Sequence, residues 1–395
     1  MSAGMSERDP LGHPVYRDMP TTIFEKMSGR ARETGAINLG QGFPDAQGPE
    51  EILRAAADAL LTRSNQYPPM AGLAELRGAV AAHYARHQGI DLSPQEVIVT
   101  SGATETIAAS LLALVRPGDE VLVLAPLYDA YLPLIERAGG VARVLRLTPP
   151  DWRIGREALA AAVTPNTRLL LMNNPVNPTG IALREQELAL LAELCVENDL
   201  IAICDEVWEH VIYDGVAHRP LIGFPGMRDR TVKIGSAGKI FSLTGWKVGW
   251  MCAALPLATL LARAHQFITF TTPPHLQWAV AEGLARPESW FDAMRGAYQA
   301  SRDRLVAGLR GAGYVVNACA ATWFVTVDLP ASGIDMDDVA FCERIIEEAG
   351  VAAIPISAFY PAEPVTHLVR LCFSKADGIL DEAVARLAAF RASLI

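Results

Sequence analysis

The chain has 395 residues, 51% of them apolar and 20% charged, with a mean hydropathy of +0.20. That excludes a disordered chain and leaves room for two domains. Its 44 acids against 34 bases give a net charge of −10 with no arginine-rich block, which argues against a nucleic-acid partner.

The first 45 or so residues read as an irregular arm, with His13-Pro14, Met19-Pro20 and the run from Asn38 through Gly40-Gln41-Gly42-Phe43-Pro44 to Asp45. The charged start (Arg8, Asp9, Arg17, Asp18) has no signal-peptide core. No apolar run reaches the roughly 20 residues of a membrane span. A cytoplasmic protein without a membrane partner is therefore expected. The six cysteines, scattered and without a CxxC pair, read as buried free thiols.

After Pro49 the pattern alternates. Helical periodicity covers 50–62, 72–88, 104–115, 128–138, 155–163 and 184–198. Between these helices, or soon after the last, lie the wholly apolar runs Val97–Val99, Val121–Leu124, Leu169–Met172, Ile201–Cys204 and Val232–Ile234. Strands apolar on both faces and separated by helices describe a buried, mostly parallel sheet flanked by helices. From about 255 the order changes to helices over 255–266, 276–286 and 290–311. Strands near 322–328 and 367–373 and helices near 336–349 and 379–393 complete a smaller α+β part. The expected division is an N-terminal segment 1–48, a large α/β domain 49–288 and a small C-terminal domain 289–395.

Ligands of open parallel sheets bind beyond the carboxyl ends of the strands. Here those ends carry Asn173-Asn174-Pro175-Val176-Asn177-Pro178-Thr179-Gly180, Asp205-Glu206 and Gly235-Ser236-Ala237-Gly238-Lys239. Only five of the 34 basic residues are lysines, and three of them (233, 239, 247) fall in this region. Unlike arginine, lysine can act as a neutral amine nucleophile. An amine, a carboxylate and an amide at one site suit an aldehyde cofactor, with the amine forming a Schiff base. The segment Thr100 to Glu105 opens a helix whose free N–H groups can seat a phosphate.

These residues carry a family resemblance. The chain resembles the pyridoxal 5′-phosphate (PLP) aminotransferases of fold type I, class I, and within them the kynurenine, glutamine and methionine aminotransferases and N-succinyldiaminopimelate aminotransferases. The resemblance spans nearly the whole chain, from Ile37–Asp45 and Asn65-Gln66-Tyr67-Pro68-Pro69 through Asn174–Gly180, Asp205-Glu206-Val207, Ser236–Lys239 and Thr244–Lys247. It ends with Gly350–Ser357 and Val369-Arg370-Leu371.

The resemblance implies transamination of an amino acid with a 2-oxo acid, ping-pong through pyridoxamine phosphate, by a homodimer with shared sites and no metal. It gives Lys239 the Schiff base and the proton transfer, Asp205 the pyridinium nitrogen, and Asn177 the 3′-oxygen. Tyr128 would stack on the ring. Gly102, Ala103, Thr104, Ser236 and Lys247 would seat the phosphate, joined by Tyr67 of a second subunit. Arg370 would grip the substrate carboxylate with help from Asn177 and the Gly40 backbone. Tyr16, Tyr128, Phe270, Trp323, Phe359 and Tyr360 would line a pocket for an apolar or large neutral side chain, Phe270 reaching over from the other subunit.

One departure stands out: Trp208 occupies the position of a tyrosine that donates to the 3′-oxygen, and an indole reaches a different distance and angle. Lys233 gets no role from the sequence, and Lys26 and Lys375 read as surface charge. A PLP β-lyase acting on cysteine conjugates is the competing enzyme reading, and a ligand-sensing module without catalysis the competing non-enzyme one.

Overall fold

A computed structural model gives the fold of residues 12–17 and 19–394. Arg8 and Asp9 of the expected arm, and Asp18, lie outside the described residues. The larger sheet has seven strands: β1 (Val97–Thr100), β2 (Glu120–Ala125), β3 (Val141–Arg146), β4 (Thr167–Asn173), β5 (Ile201–Asp205), β6 (Thr231–Ser236) and β7 (Gly249–Cys252). Their spatial order is β1-β7-β6-β5-β4-β2-β3. Every pairing is parallel except the two made by β7, which runs antiparallel to β1 and β6.

The central strands are buried on both faces, as Val121 to Leu124 and Leu169 to Met172 illustrate, because helices cover the sheet on either side. Two strands do not show as apolar runs. β3 is an edge strand whose Val141 and Val144 are exposed, and Arg143 and Arg146 break its apolar pattern. β7 is only four residues long and begins with glycine.

The second sheet is antiparallel, with β8 (Val315–Val316), β9 (Phe324–Asp328), β10 (Ile354–Pro355) and β11 (Leu368–Cys372) in the order β10-β11-β9-β8. The helices Glu288–Gly311 and Asp377–Leu394 pack on each other beside it.

The N-terminal segment is less irregular than its sequence suggests, since Ile23–Thr34 is a helix. Thr22 caps it by accepting the Glu25 N–H, and Gly35 ends it in the left-handed conformation at φ 69°. Its sequence is inconspicuous because it is poor in apolar residues, burying only Met27, Ser28 and Ala31. Ile37–Asn38 then pairs in parallel with Val351–Ala352, which fixes the segment beside the second sheet and delivers Gly40 to the site.

Candidate active site

Three strands end side by side. Asn173 at the end of β4 lies in register with Asp205 at the end of β5, and β6 ends next to them in Ser236. The Asn173 amide donates to the Asp205 carbonyl at 2.8 Å, while its oxygen accepts the Asn177 N–H at 2.8 Å. The loop from Asn174 to Gly180 is thereby hung from the strand ends, with Asn177 at the cavity. Gly180 is required there: its φ is 73°, and a Cβ would lie 2.7 Å from the Phe324 carbonyl oxygen. Beyond Ser236 a single helical turn, Ala237–Ile240, brings Lys239 over the same strand ends.

The resulting cavity, about 210 Å³, has Gly102, Ala103, Thr104, Tyr128, Asn177, Asp205, Trp208, Ser236, Lys239 and Lys247 in its wall. Its electrostatics differ from end to end. Burial lowers the Lys239 pKa to about 8, with the Asp205 charge working the other way. The neutral amine, the form a nucleophile needs, is therefore far more available near neutrality than in an ordinary lysine. Its Nζ stands 4.7 Å from the Trp208 ring and 5.3 Å from the Trp323 ring. Burial raises the Asp205 pKa above the ordinary carboxylate value, against a hydrogen bond from the Tyr131 hydroxyl. A cation brought against Asp205 would relieve that desolvation.

The other end suits an anion. The helix Gly102–Leu114 opens there without a side-chain cap from Ser101, so its first N–H groups and the positive end of its dipole are available. Gly102 has a φ of 74°, and a Cβ on it would sit 3.2 Å from the Lys247 Nζ, which places the ammonium over this first turn. Burial raises the Tyr128 pKa, with Thr104 working the other way. An amine of tunable charge, a buried acid and a phosphate seat around one cavity fit PLP.

Arg370 comes from β11. It donates through Nη1 to the Asn177 side-chain oxygen at 2.8 Å and through Nη2 to the Gly40 carbonyl at 2.6 Å. The Asn177 NH2 group is thus free to donate elsewhere. Gly40 contributes its carbonyl here, since its own N–H is spent on the Asn38 side chain at 3.0 Å. The guanidinium lies 3.9 Å from the Phe324 ring, with Phe359 and Phe24 at 5.2 and 5.3 Å. Burial lowers its pKa to about 9, and its Nε is buried without a partner among the described residues.

Other sequence candidates lie elsewhere on the chain. Tyr16 is 53% exposed on the short helix Pro14–Arg17 and does not line the cavity. Tyr67 is 85% exposed and meets Phe270 edge-on at 5.7 Å, outside this cavity. Tyr360 is buried and donates to the Leu147 carbonyl. Trp323 and Phe359 do approach the site, the first beside Lys239 and the second beside Arg370. Trp208 packs edge-on against Trp323 at 4.9 Å and Phe324 at 5.6 Å, so the tyrosine's replacement forms an aromatic wall.

Several supporting residues carry no local signal in the sequence. Tyr131 is one. Another is the Glu105–His265 pair, at 2.6 Å, which ties the phosphate-seating helix to the Met70 carbonyl through the second imidazole nitrogen at 3.0 Å. Burial works against a charged His265, but the bond to Glu105, its charge and the backbone carbonyls together raise the pKa.

One lysine differs from its sequence reading, and another, given no role by the sequence, finds one. Lys375 is not surface charge, being 5% exposed in its side chain and bound to the Phe43 carbonyl and to Asp45. Lys233 is fully buried between Glu206 and Glu209, at 2.5 and 2.7 Å.

Residues 34–387 match the profile of the aminotransferase class I and II family. A probable N-succinyldiaminopimelate aminotransferase of Mycobacterium tuberculosis is 45% identical over 94% of this chain and 96% of its own length. The methionine aminotransferase of Escherichia coli is 38% identical over 93% of this chain and 95% of its own. Among solved structures, N-succinyldiaminopimelate aminotransferase from M. tuberculosis superposes with a TM-score of 0.92 at 45% identity, over 96% of this chain and 99% of that one.

Proposed function

This chain belongs to the aminotransferase class I and II family, and from that premise we propose which residues perform its PLP-dependent transamination and on what substrates. The reaction moves an amino group from an amino acid to a 2-oxo acid. When bound, PLP supplies an aldehyde for an amine to attack and a ring that accepts an electron pair from the substrate Cα. The chain supplies everything else.

Lys239 provides the amine and then carries the proton at the substrate Cα, a task its lowered pKa of about 8 suits. Asp205 would hold a positive charge on the ring nitrogen, and the Asn177 NH2 group would be the donor for the 3′-oxygen. Tyr128 covers one ring face. The first turn of Gly102–Leu114, with Ser236 and Lys247, neutralises the phosphate. Arg370, oriented by Asn177 and Gly40, takes the substrate carboxylate. The observation that carries this reading is that Lys239, Asp205 and Asn177 line one cavity while Arg370, from the second sheet, is bonded to Asn177 in its wall.

The aromatic wall of Trp208 and Trp323, with Phe359 by Arg370, favours a donor with an apolar or large neutral side chain, such as Met, Gln, Phe or kynurenine. A second reading, N-succinyldiaminopimelate as the substrate, is favoured by the 45% identity to the M. tuberculosis relative.

The enzyme acts as a homodimer in which Tyr67 and Phe270 serve the partner's site. Supporting this, Leu61, Tyr67 and Phe267 are each more than four-fifths exposed, and Tyr67 meets Phe270, three residues beyond Phe267; these are apolar side chains that association would cover. The chain divides as 1–48, 49–288 and 289–395, and works in the cytoplasm.

A screen of the twenty amino acids with kynurenine and N-succinyldiaminopimelate, against several 2-oxo acids, tests the substrate assignment. Preferred turnover of large neutral donors is the expected result; a preference for aspartate or glutamate overturns it. Pyruvate release from S-substituted cysteines would mark β-lyase chemistry instead.

A further inference from the structure

Tyr131 lies behind the cavity wall rather than in it, 1% exposed, and its hydroxyl donates to Asp205 Oδ2 at 2.6 Å. The other carboxylate oxygen, Oδ1, receives only a long bond of 3.5 Å from the Val207 N–H. One oxygen is therefore committed to the protein and the other left for a cation in the cavity. Tyr131 opens the helix Tyr131–Arg137, and its ring stands nearly perpendicular to Tyr128, at 83° and 5.7 Å between centroids. The same side chain thus braces both the acid at the cavity floor and the aromatic ring beside it.

We propose that Tyr131 is a positioning residue that keeps Asp205 ionised and weakly basic, so that the proton shared with the cofactor's ring nitrogen stays on the nitrogen. This rests on the assignment of Asp205 to that nitrogen.

The physical reason is a competition between two bases. Asp205 is fully enclosed, and burial alone favours its neutral acid. A hydroxyl donating to the carboxylate stabilises the charged form and lowers its basicity. Without that bond the carboxylate gains proton affinity and draws the proton off the ring nitrogen, and the ring becomes a poorer electron acceptor. Burial also raises the Tyr131 hydroxyl well above its ordinary value, so it remains a donor throughout the working pH range.

The test uses holoenzyme reconstituted with ring-¹⁵N-labelled PLP. Tyr131→Phe keeps the ring and its packing on Tyr128 but removes the donor. The expected result is a ring-nitrogen resonance moved toward neutral pyridine. With it should come a higher pH midpoint for the cofactor's visible absorbance and a kcat lower by about 10-fold. Tyr131→Leu, which also lacks the hydroxyl, must move the resonance the same way.

An unmoved resonance in Tyr131→Phe overturns the proposal, as does failure of both variants to fold, which would give Tyr131 a purely architectural role. Asp205→Asn separates the two levels of inference. If it leaves the resonance unmoved, the Asp205 assignment itself is wrong. If it moves the resonance and Tyr131→Phe does not, only the role of Tyr131 falls.

Discussion

Arg370 donates to the Asn177 side-chain oxygen at 2.8 Å, joining a strand of the second sheet to a loop hung from the first. A substrate carboxylate placed here meets a guanidinium already oriented on two acceptors, Asn177 and the Gly40 carbonyl. Orientation before binding reduces the entropy lost on binding.

Arg370→Lys keeps a positive charge but loses the planar fork and its packing on Phe324. We expect kcat/KM to fall by about 100-fold, mostly through KM, as a lost bidentate charge-assisted contact implies. Steady-state kinetics with the preferred donor check this, and an unchanged KM argues against carboxylate binding by Arg370.

Capture of the cofactor should depend on pH in the direction set by Lys239. Its pKa is lowered to about 8, so the neutral amine increases as pH rises through that value. Stopped-flow mixing of cofactor-free protein with PLP should show a rate that climbs with a midpoint at about the same pH. Lys239→Ala should abolish both the visible absorbance and turnover; retained transamination would refute the assignment.

Trp208→Tyr restores the hydroxyl found at this position in the family pattern. A donor to the cofactor's 3′-oxygen should lower the pH midpoint of the visible absorbance by about one unit, the equivalent of one hydrogen bond of about 1.4 kcal/mol. Spectrophotometric titration of the two holoenzymes reads the shift. An equal or higher midpoint in Trp208→Tyr shows that the indole already serves as the donor.

Lys233 supports the sheet rather than the reaction. Replacing it by Met would strand Glu206 and Glu209 in the interior, a change of the kind that costs about 3–5 kcal/mol. Urea unfolding measures that loss, and adding Glu206→Gln and Glu209→Gln should recover part of it.

The same trio predicts acid sensitivity. Burial alone would raise Glu206, but Lys233 and His218 together outweigh it and take the pKa from 4.5 down to about 2. Because the folded value is depressed, the stabilisation is fully present above the unfolded value and disappears as pH falls from about 4.5 through about 2. Unfolding midpoints followed across that window should decline in the native protein and decline less in the triple variant.

Short-range features of the fold are legible in the amino-acid order. The central strands stand out because burial on both faces demands consecutive apolar residues, and Lys239, Asp205 and Asn177 stand out because each closely follows such a run. β3 and the helix Ile23–Thr34 do not, because an edge strand needs no unbroken apolar run and a largely solvated helix carries few apolar residues. Tyr131, His265 and Lys233 are equally hidden. Their partners lie 74, 160 and 27 or 24 residues away, and no local period records such a pairing.

Of the three lysines between positions 233 and 247, two, Lys239 and Lys247, line the cavity. Sequence alone determined that the catalytic candidates follow strand ends and a helix start, since main-chain geometry there depends on near neighbours. The third lysine, Lys233, sits on the same strand as Ser236 but belongs to a buried ion-pair cluster. Only the tertiary structure decided that difference. A lysine's role depends on which charges reach its ammonium, and those charges arrive from distant parts of the chain once it has folded.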